Sequence, residues 1–249
     1  MRQIYKSQIT KIDYSPNGNV VFLYIKPEIL DWDFFFKSGQ FVVINTKIGE
    51  HISRRSYSIA TDMTHYYQTW ELWFIIKYVP LWLMSTYLVK EAKIGDIIDI
   101  VWPVGKMICD PEEKLNYLLI SSGSGLWPIR SIYTSLQNSS KFLKIYQIFG
   151  EKNFDELLNL EDFKITNSDN TNNIYKNNNI TNIVTFSRQK IDWYREWYVQ
   201  SYISDGLSDL WISDKLRVYI CGKPAMVEEC VEILLEKWVD KQYIYHEKY

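Results

Sequence analysis

Three short runs carry the residue types that handle phosphates and flat rings. In Arg54-Arg55-Ser56-Tyr57-Ser58-Ile59-Ala60 an extended backbone would put Arg55, Tyr57 and Ile59 on one face and Ser56, Ser58 and Ala60 on the other. A guanidinium fork suits a phosphate and a tyrosine ring suits a planar heterocycle. The same pair also reads as an edge-strand arginine beside a core tyrosine. Ser121-Ser122-Gly123-Ser124-Gly125-Leu126-Trp127-Pro128 follows an apolar run and precedes a helical pattern. Small residues there let backbone N–H groups and a helix N-terminus approach a pyrophosphate. Val218-Tyr219-Ile220-Cys221-Gly222-Lys223-Pro224-Ala225-Met226-Val227 repeats the strand, turn, helix order. It leaves Cys221 at the carboxyl end of a strand, the edge where open α/β sheets take ligands; taken alone, it also reads as a small buried residue. Ser187-Arg188, after the strand ending at Phe186, sets a hydroxyl beside a guanidinium, and Tyr198 offers a ring. The other reading of Arg188 is an ordinary surface arginine.

The elements that must position these runs fall into two patterns. Up to residue 110, short alternating or β-branched runs at 3–12, 20–26, 40–46, 56–60, 71–79 and 97–101 are separated by turn residues such as Asn17-Gly18 and Ser38-Gly39. That spacing predicts an antiparallel barrel or sandwich, interrupted by one helix over 84–91. From residue 114 the rhythm changes: buried-looking strands at 117–121, 142–149, 180–186 and 216–221 alternate with helices at 129–136, 154–158, 195–204 and 225–237. Such alternation predicts a doubly wound parallel sheet. The expected domains are therefore 1–110, a β-barrel, and 111–249, an α/β unit. Residues 166–182 hold eight Asn in seventeen positions and read as a solvated loop.

Composition narrows the classes of function. With 249 residues the chain suits two domains of about 100 to 150 residues each. Lys and Arg number 28 against 30 Asp and Glu, a net charge of −2, which leaves no positive surplus for a nucleic-acid backbone. No eighteen-residue apolar run and no signal-peptide pattern is expected to place it in or across a membrane. Cys109, Cys221 and Cys230 form no metal-ligand spacing, and His51, His65 and His246 are isolated, so no metal site is expected and an iron–sulfur cluster of its own is out of reach. The cysteine usage points to a reducing, cytoplasmic compartment.

In their order and spacing these elements resemble the ferredoxin–NADP reductase family, over essentially the whole chain. Arg55-Ser56-Tyr57-Ser58 is similar to its Arg-x-Tyr-Ser flavin motif, Gly123 to Pro128 to its Gly-Thr-Gly-Ile-Ala-Pro loop, and Cys221 to Met226 to its Cys-Gly-x-x-x-Met turn. Residues 74–79 with Ile76 and Lys77, Met84-Ser85-Thr86, Tyr198-Val199-Gln200 and the terminal Glu247-Lys248-Tyr249 match as well. The resemblance implies an FAD-binding barrel and an NADP-binding domain, with flavin and nicotinamide stacked between them. It assigns Arg55, Ser56, Tyr57, Ser58, Ile76, Lys77, Met84, Ser85 and Thr86 to FAD. Gly123, Ser124, Gly125, Pro128, Ser187, Arg188, Tyr198, Gln200, Gly222 and Met226 fall to the coenzyme, NADP in preference to NAD. Ser58, Cys221, Glu247 and Tyr249 would act in catalysis. The implied activity is hydride transfer between NADP(H) and flavin, with single electrons passed to or from a ferredoxin, a flavodoxin or another small redox protein. Rival readings are an NADH-dependent reductase subunit of an oxygenase, cytochrome or other complex, a flavin-binding electron-transfer subunit without nucleotide turnover, and a flavin-free scaffold.

Ten Trp stand beside ten Gly, where roughly 17 Gly are expected at about 7% of residues. Trp82, Trp102, Trp127, Trp197 and Trp238 occupy places in these motifs or helix ends that a glycine would serve. The expectation is that several are UGA codons read as glycine by the source organism, in a gene whose Asn, Ile, Lys and Tyr content suggests AT-richness. A Trp-rich reductase with distorted loops is the alternative.

Overall fold

The computed structural model describes residues 4–15, 17–28, 35–153, 174–177, 179–189, 195–196 and 198–249. The chain divides into one compact unit of Met1–Asp110 with Arg130–Asn138, and a second of Pro111–Ile129 with Ser139–Tyr249.

The first unit holds β1 (Ile4–Tyr14), β2 (Val20–Pro27), β3 (Phe41–Ile48), β4 (His51–Ser58), α1 (Met63–Thr69), β5 (Leu72–Lys77), α2 (Leu83–Thr86) and β6 (Ile97–Val104). Its six strands run antiparallel in the order β4-β3-β6-β1-β2-β5. The period-two alternation drives this arrangement, because inward positions such as Ile9, Leu23, Ile25, Val42, Ile44 and Phe74 are fully buried in one cluster. The ends of the curled sheet approach where the Ala60 N–H donates to the Trp73 carbonyl at 2.8 Å. This is the barrel-type sheet expected, with two local differences. β4 begins at His51 and stops at Ser58, so Ile59 and Ala60 lie beyond the strand, both buried. Helix α1 was not anticipated; Asp62 caps it, accepting from the Thr64 and His65 N–H groups at 2.9 and 3.1 Å.

The second unit contains β7 (Asn116–Ser122), α3 (Leu126–Ser139), β8 (Lys144–Glu151), β9 (Ile174–Asn177), β10 (Ile180–Phe186), β11 (Arg195–Glu196), α4 (Ile203–Leu210), β12 (Leu216–Gly222), α5 (Pro224–Glu236) and β13 (Ile244–Lys248), with the Arg130–Asn138 stretch of α3 belonging to the first unit. Its sheet runs β11-β10-β8-β7-β12-β13 with every neighbouring pair parallel, and β9 adds antiparallel to β10. Ile203, Leu207 and Leu210 of α4 and Val227, Cys230 and Leu234 of α5 pack on Leu118, Ile120, Ile148, Val218 and Ile220 of the strands. The near-continuous apolar strands expected of a covered parallel sheet are therefore present. The helix expected over 195–204 is instead α4, eight residues later, because the apolar positions Ile203, Leu207 and Leu210 are the ones that meet the sheet. Part of the Asn-rich segment is strand, not loop: Ile174–Asn177 pairs with Ile180 to Ile183, the β-prone Ile174 and Tyr175 leading into the pairing. Residues 166–173 and the helix expected over 154–158 lie outside the described residues.

The Arg130–Asn138 stretch of α3 is tied to the segment that follows β4. Arg130 Nη1 donates to the Ala60 carbonyl at 2.7 Å, Ser131 Oγ to that of Thr61 at 2.7 Å, and Asn138 Nδ2 to Asp62 Oδ1 at 3.2 Å. The Arg130 guanidinium also lies 4.0 Å from the centre of the Trp73 ring, which stacks on Tyr24 at 5.6 Å. A buried charge-assisted hydrogen bond and a desolvated cation–π contact each contribute about 2 kcal/mol. We expect Arg130→Ala to lower stability by about 2–3 kcal/mol, measured as a reduced urea midpoint; a loss below about 0.5 kcal/mol would show that the contact is not stabilising.

Candidate nucleotide and flavin sites

In the first unit the register of β4 on β3 sets Arg55 opposite Ile44 and Tyr57 opposite Val42, both core residues. Arg55 and Tyr57 thus share a face, as the alternation requires. Tyr57 is half-buried against the core cluster, while Arg55 and Ser56 are exposed and Ser58 is buried. Burial pushes the Tyr57 phenol up, with the Arg55 charge pulling weakly the other way, so the ring presents a neutral hydroxyl. Arg55 Nη1 donates to its neighbour's carbonyl at 2.8 Å and its guanidinium stands 5.4 Å from the Trp82 ring centre. Among the described residues no carboxylate pairs with it.

Trp82 precedes α2, and so the arginine and the start of that helix are brought together. Ser85 Oγ accepts from the Val79 N–H at 3.2 Å and donates to the carbonyls of Val79 and Trp82 at 3.1 and 3.2 Å. Its hydroxyl is spent on shaping the turn, which leaves Thr86, half-buried one residue on, the more available of the two. Met84 and Ile76 are buried and Lys77 ends β5 exposed. An unopposed guanidinium beside a helix start and a half-buried ring on the same strand fit a pyrophosphate joined to a flat heterocycle.

In the second unit the parallel register gathers the remaining residues at one sheet edge. Cys221 lies opposite Ser121 of β7 on one side and Glu247 of β13 on the other. Ser122 lies opposite Gly150, and Phe186 opposite Glu151. Ser187 and Arg188 follow directly, their N–H groups bonded to the carbonyls of Glu151 and Lys152 at 3.0 Å each, with the Arg188 side chain exposed. Gly123, Ser124 and Gly125 form a tight turn into α3, with Pro128 in the first turn of the helix. Gly123 takes φ +53, the left-handed region a side chain disfavours. A Cβ on Gly125 would lie 2.1 Å from the Cys221 carbonyl oxygen, and one on Gly222 would lie 2.4 Å from Met226 Cε and 2.5 Å from Ser122 Oγ. The two loops meet because these positions have no side chain. Ser121 Oγ is buried there without a hydrogen-bond partner. A side-chain-free cradle with an unpaired hydroxyl at the carboxyl edge of a parallel sheet fits a dinucleotide.

Tyr198 is 63% exposed, and next to it Val199 packs on Gly150. Gln200 Nε2 donates to Glu229 Oε2 at 2.6 Å while its Oε1 is buried without a partner. The Tyr249 N–H donates to the Gly222 carbonyl at 3.1 Å. Tyr249 is 46% exposed as a residue, but desolvation of its phenol, then the nearby Cys221 and Glu247, shifts that group upward, and burial pushes the Cys221 thiol up despite the Tyr249 hydrogen bond. Cys221 is therefore a neutral thiol, unsuited to nucleophilic attack. Burial and then Lys248 and Lys241 lower His246, which is neutral at pH 7. Among the described residues no group of three His, Cys, Asp or Glu is placed to hold a metal, and no helix is long and apolar enough to cross a membrane.

Glu151, absent from the sequence reading, ends β8 with its Oε2 3.9 Å from where a Gly123 Cβ would sit. The available signal was its position, an acid at the end of the second parallel strand after a glycine loop. Of the glycine-like tryptophans, Trp82 is extended at φ −90 and Trp127 is 7% exposed within α3, so neither backbone demands glycine and Trp127 does not stand in the open loop. Trp238 does take φ 64. Trp197 lies outside the described residues.

Two sequence models match the chain: the Oxidoreductase FAD-binding domain over residues 15–108 and the Oxidoreductase NAD-binding domain over 119–232. The toluate 1,2-dioxygenase electron transfer component of Pseudomonas putida is 23% identical over 214 residues, 86% of this chain and 59% of that protein. The ferredoxin–NADP reductase of Synechocystis sp. is 27% identical over 165 residues, 61% of this chain and 38% of that protein. The crystal structure of a ferredoxin NADP+ reductase from Neisseria gonorrhoeae superposes with TM-score 0.78 at 16% identity, covering 100% of this chain and 99% of the other. This chain spans at most about three fifths of the first curated relatives it matches. Residues 15–108 and 119–232 thus belong to the Oxidoreductase FAD-binding and Oxidoreductase NAD-binding domain families, joined in the two-domain fold that the Neisseria structure shares.

Because the Gly125 Cβ position collides with backbone, not with a mobile side chain, relief requires β12 to shift. We expect Gly125→Ala to cost about 1–3 kcal/mol, read as a lower urea midpoint. An unchanged midpoint would show that the loop moves aside freely.

Proposed function

We propose that the protein moves hydride between NADP(H) and enzyme-bound FAD and exchanges single electrons with a ferredoxin, a flavodoxin or another small redox protein. The observation that supports this most is the convergence of Gly125, Cys221, Glu247, Tyr249 and Ser187-Arg188 on one edge of the parallel sheet. When bound, FAD supplies the two-electron to one-electron exchange. Arg55 binds its pyrophosphate as a bidentate fork, Thr86 adds a hydroxyl at the helix start that Ser85 shapes, and Tyr57 packs its neutral ring on the flavin. Ser56 and Ser58 would complete that strand's share of the flavin site, Ser58 through its hydroxyl, with Ile76, Lys77 and Met84 as its further residues. Gly123, Ser124, Gly125 and Pro128 seat the coenzyme pyrophosphate. Ser187 and Arg188 take the 2′-phosphate, Tyr198 the adenine and Gln200 a ribose-side polar group. Cys221, with Gly222 and Met226, offers the nicotinamide a neutral, water-poor surface. Tyr249 would move aside for the nicotinamide, and Glu247 would hold the proton that accompanies electron transfer. The three free, buried cysteines suit a reducing cytoplasmic compartment.

A second reading, reductase component of a multicomponent oxygenase, is favoured by the match to the toluate dioxygenase component over 86% of this chain. The two diverge at the coenzyme and the acceptor.

The test is the absorption spectrum of the purified protein before and after anaerobic NADPH. We expect a yellow flavin spectrum that NADPH bleaches; a colourless protein, or a chromophore that neither coenzyme reduces, would end the proposal. With ferricyanide or cytochrome c as acceptor, Arg188→Ala should raise KM for NADPH at least about tenfold, the worth of one charge-assisted phosphate contact, and leave NADH within about twofold. An equal effect on both coenzymes would remove Arg188 from the 2′-phosphate site.

A further inference from the structure

Helices α4 and α5 each run into a residue of positive φ, and each of those residues is a tryptophan. Five non-glycine residues with positive φ occur among the described ones, and three of them are Trp: Trp70, Trp211 and Trp238. For an L residue this backbone brings Cβ against a carbonyl oxygen, so helix ends of this kind are ordinarily left to glycine.

At the end of α5, Trp238 has φ 64. Its N–H donates to the Leu235 carbonyl at 3.0 Å and the Val239 N–H donates to that of Leu234 at 3.0 Å. These are the paired bonds of a Schellman cap, completed by the buried side chain of Val239. The cap is fully formed around the one position in it that asks for glycine. Trp211, after α4, has φ 63 and ψ 130, close to a region that only glycine enters readily, and its N–H donates to the Leu207 carbonyl at 2.9 Å.

Strain of this kind persists where the side chain gains something by it. Here the indoles are 88% and 76% exposed, and among the described residues no ring, cation or hydrogen bond engages either. Trp70 differs: its φ is 58, but its indole meets Tyr66 and Tyr67 edge-on at 5.7 and 6.1 Å. Trp73 differs more, being held in β5 between Tyr24 and Arg130.

We infer that positions 211 and 238 are glycine in the protein as its source cell makes it, their codons being read there as glycine, while position 73 is tryptophan. The inference rests on backbone geometry at two helix ends and on the shortfall of Gly beside ten Trp, and it is independent of the reductase reading.

Peptide mass spectrometry of the protein isolated from source cells, with the codons read from the gene, tests it directly. The expected result is glycine at 211 and 238, encoded by UGA, and tryptophan at 73, encoded by UGG. Peptides carrying tryptophan at 211 or 238 would overturn it. Variants of the chain as written test the geometry separately: Trp211→Gly and Trp238→Gly should each raise the thermal midpoint by about 2–4 °C and add when combined, whereas Trp73→Gly should lower it. A midpoint that falls or stays put in both single variants would also overturn the inference.

Discussion

No side chain fits between Gly125 and the carbonyl of Cys221, and the arrangement of the second unit depends on that absence. Parallel strands bring their carboxyl ends to one edge whatever their sequence. What turns the edge into a site is how closely the loops leaving β7 and β12 can approach. With backbone against backbone, Ser121, Cys221 and Glu247 stand side by side in the ladder, and the terminal tyrosine bonds to Gly222. A methyl group at 125 would separate the two loops and with them the residues they carry.

Charge and protonation follow from the same crowding. The Cys221 thiol and the Tyr249 phenol share a hydrogen bond in surroundings that disfavour an anion on either, so these two side chains stay neutral beside the Glu247 carboxylate. The Arg188 guanidinium lies outside on the surface, where its charge carries no desolvation cost. In the first unit the division is alike: a neutral Tyr57 half-buried on the sheet, and Arg55 exposed at its rim. Both units thus separate neutral, desolvated side chains from exposed guanidinium charge.

The first unit's site is held from behind by contacts that no local pattern predicts. Ala60, Thr61 and Asp62 follow Arg55-Ser56-Tyr57-Ser58 after one intervening residue, and all three accept hydrogen bonds from α3, about seventy residues away in sequence. Asp62 serves twice, as cap of α1 and as acceptor for Asn138. These bonds fix where β4 ends, which is why the strand stops at Ser58, not at Ala60 as alternation alone would have it.

The sequence by itself determined the two classes of sheet, since period-two alternation and near-continuous apolar strands are set by which faces must be buried. It also determined the three motifs and their places on strand, loop and helix, because Arg-x-Tyr-Ser, the glycine loop and the Cys-Gly turn act through local geometry. The terminal strand β13, helix α1, the short hairpin within the Asn-rich segment and the position of α4 needed the tertiary structure, as each is chosen by contacts remote in sequence. The same holds for Glu151 at the loop, for Ser85 being spent on its own turn, and for which tryptophans sit on left-handed backbone. A residue's type states what chemistry it can do; only packing decides whether its polar atoms are already engaged and which conformation its backbone must take.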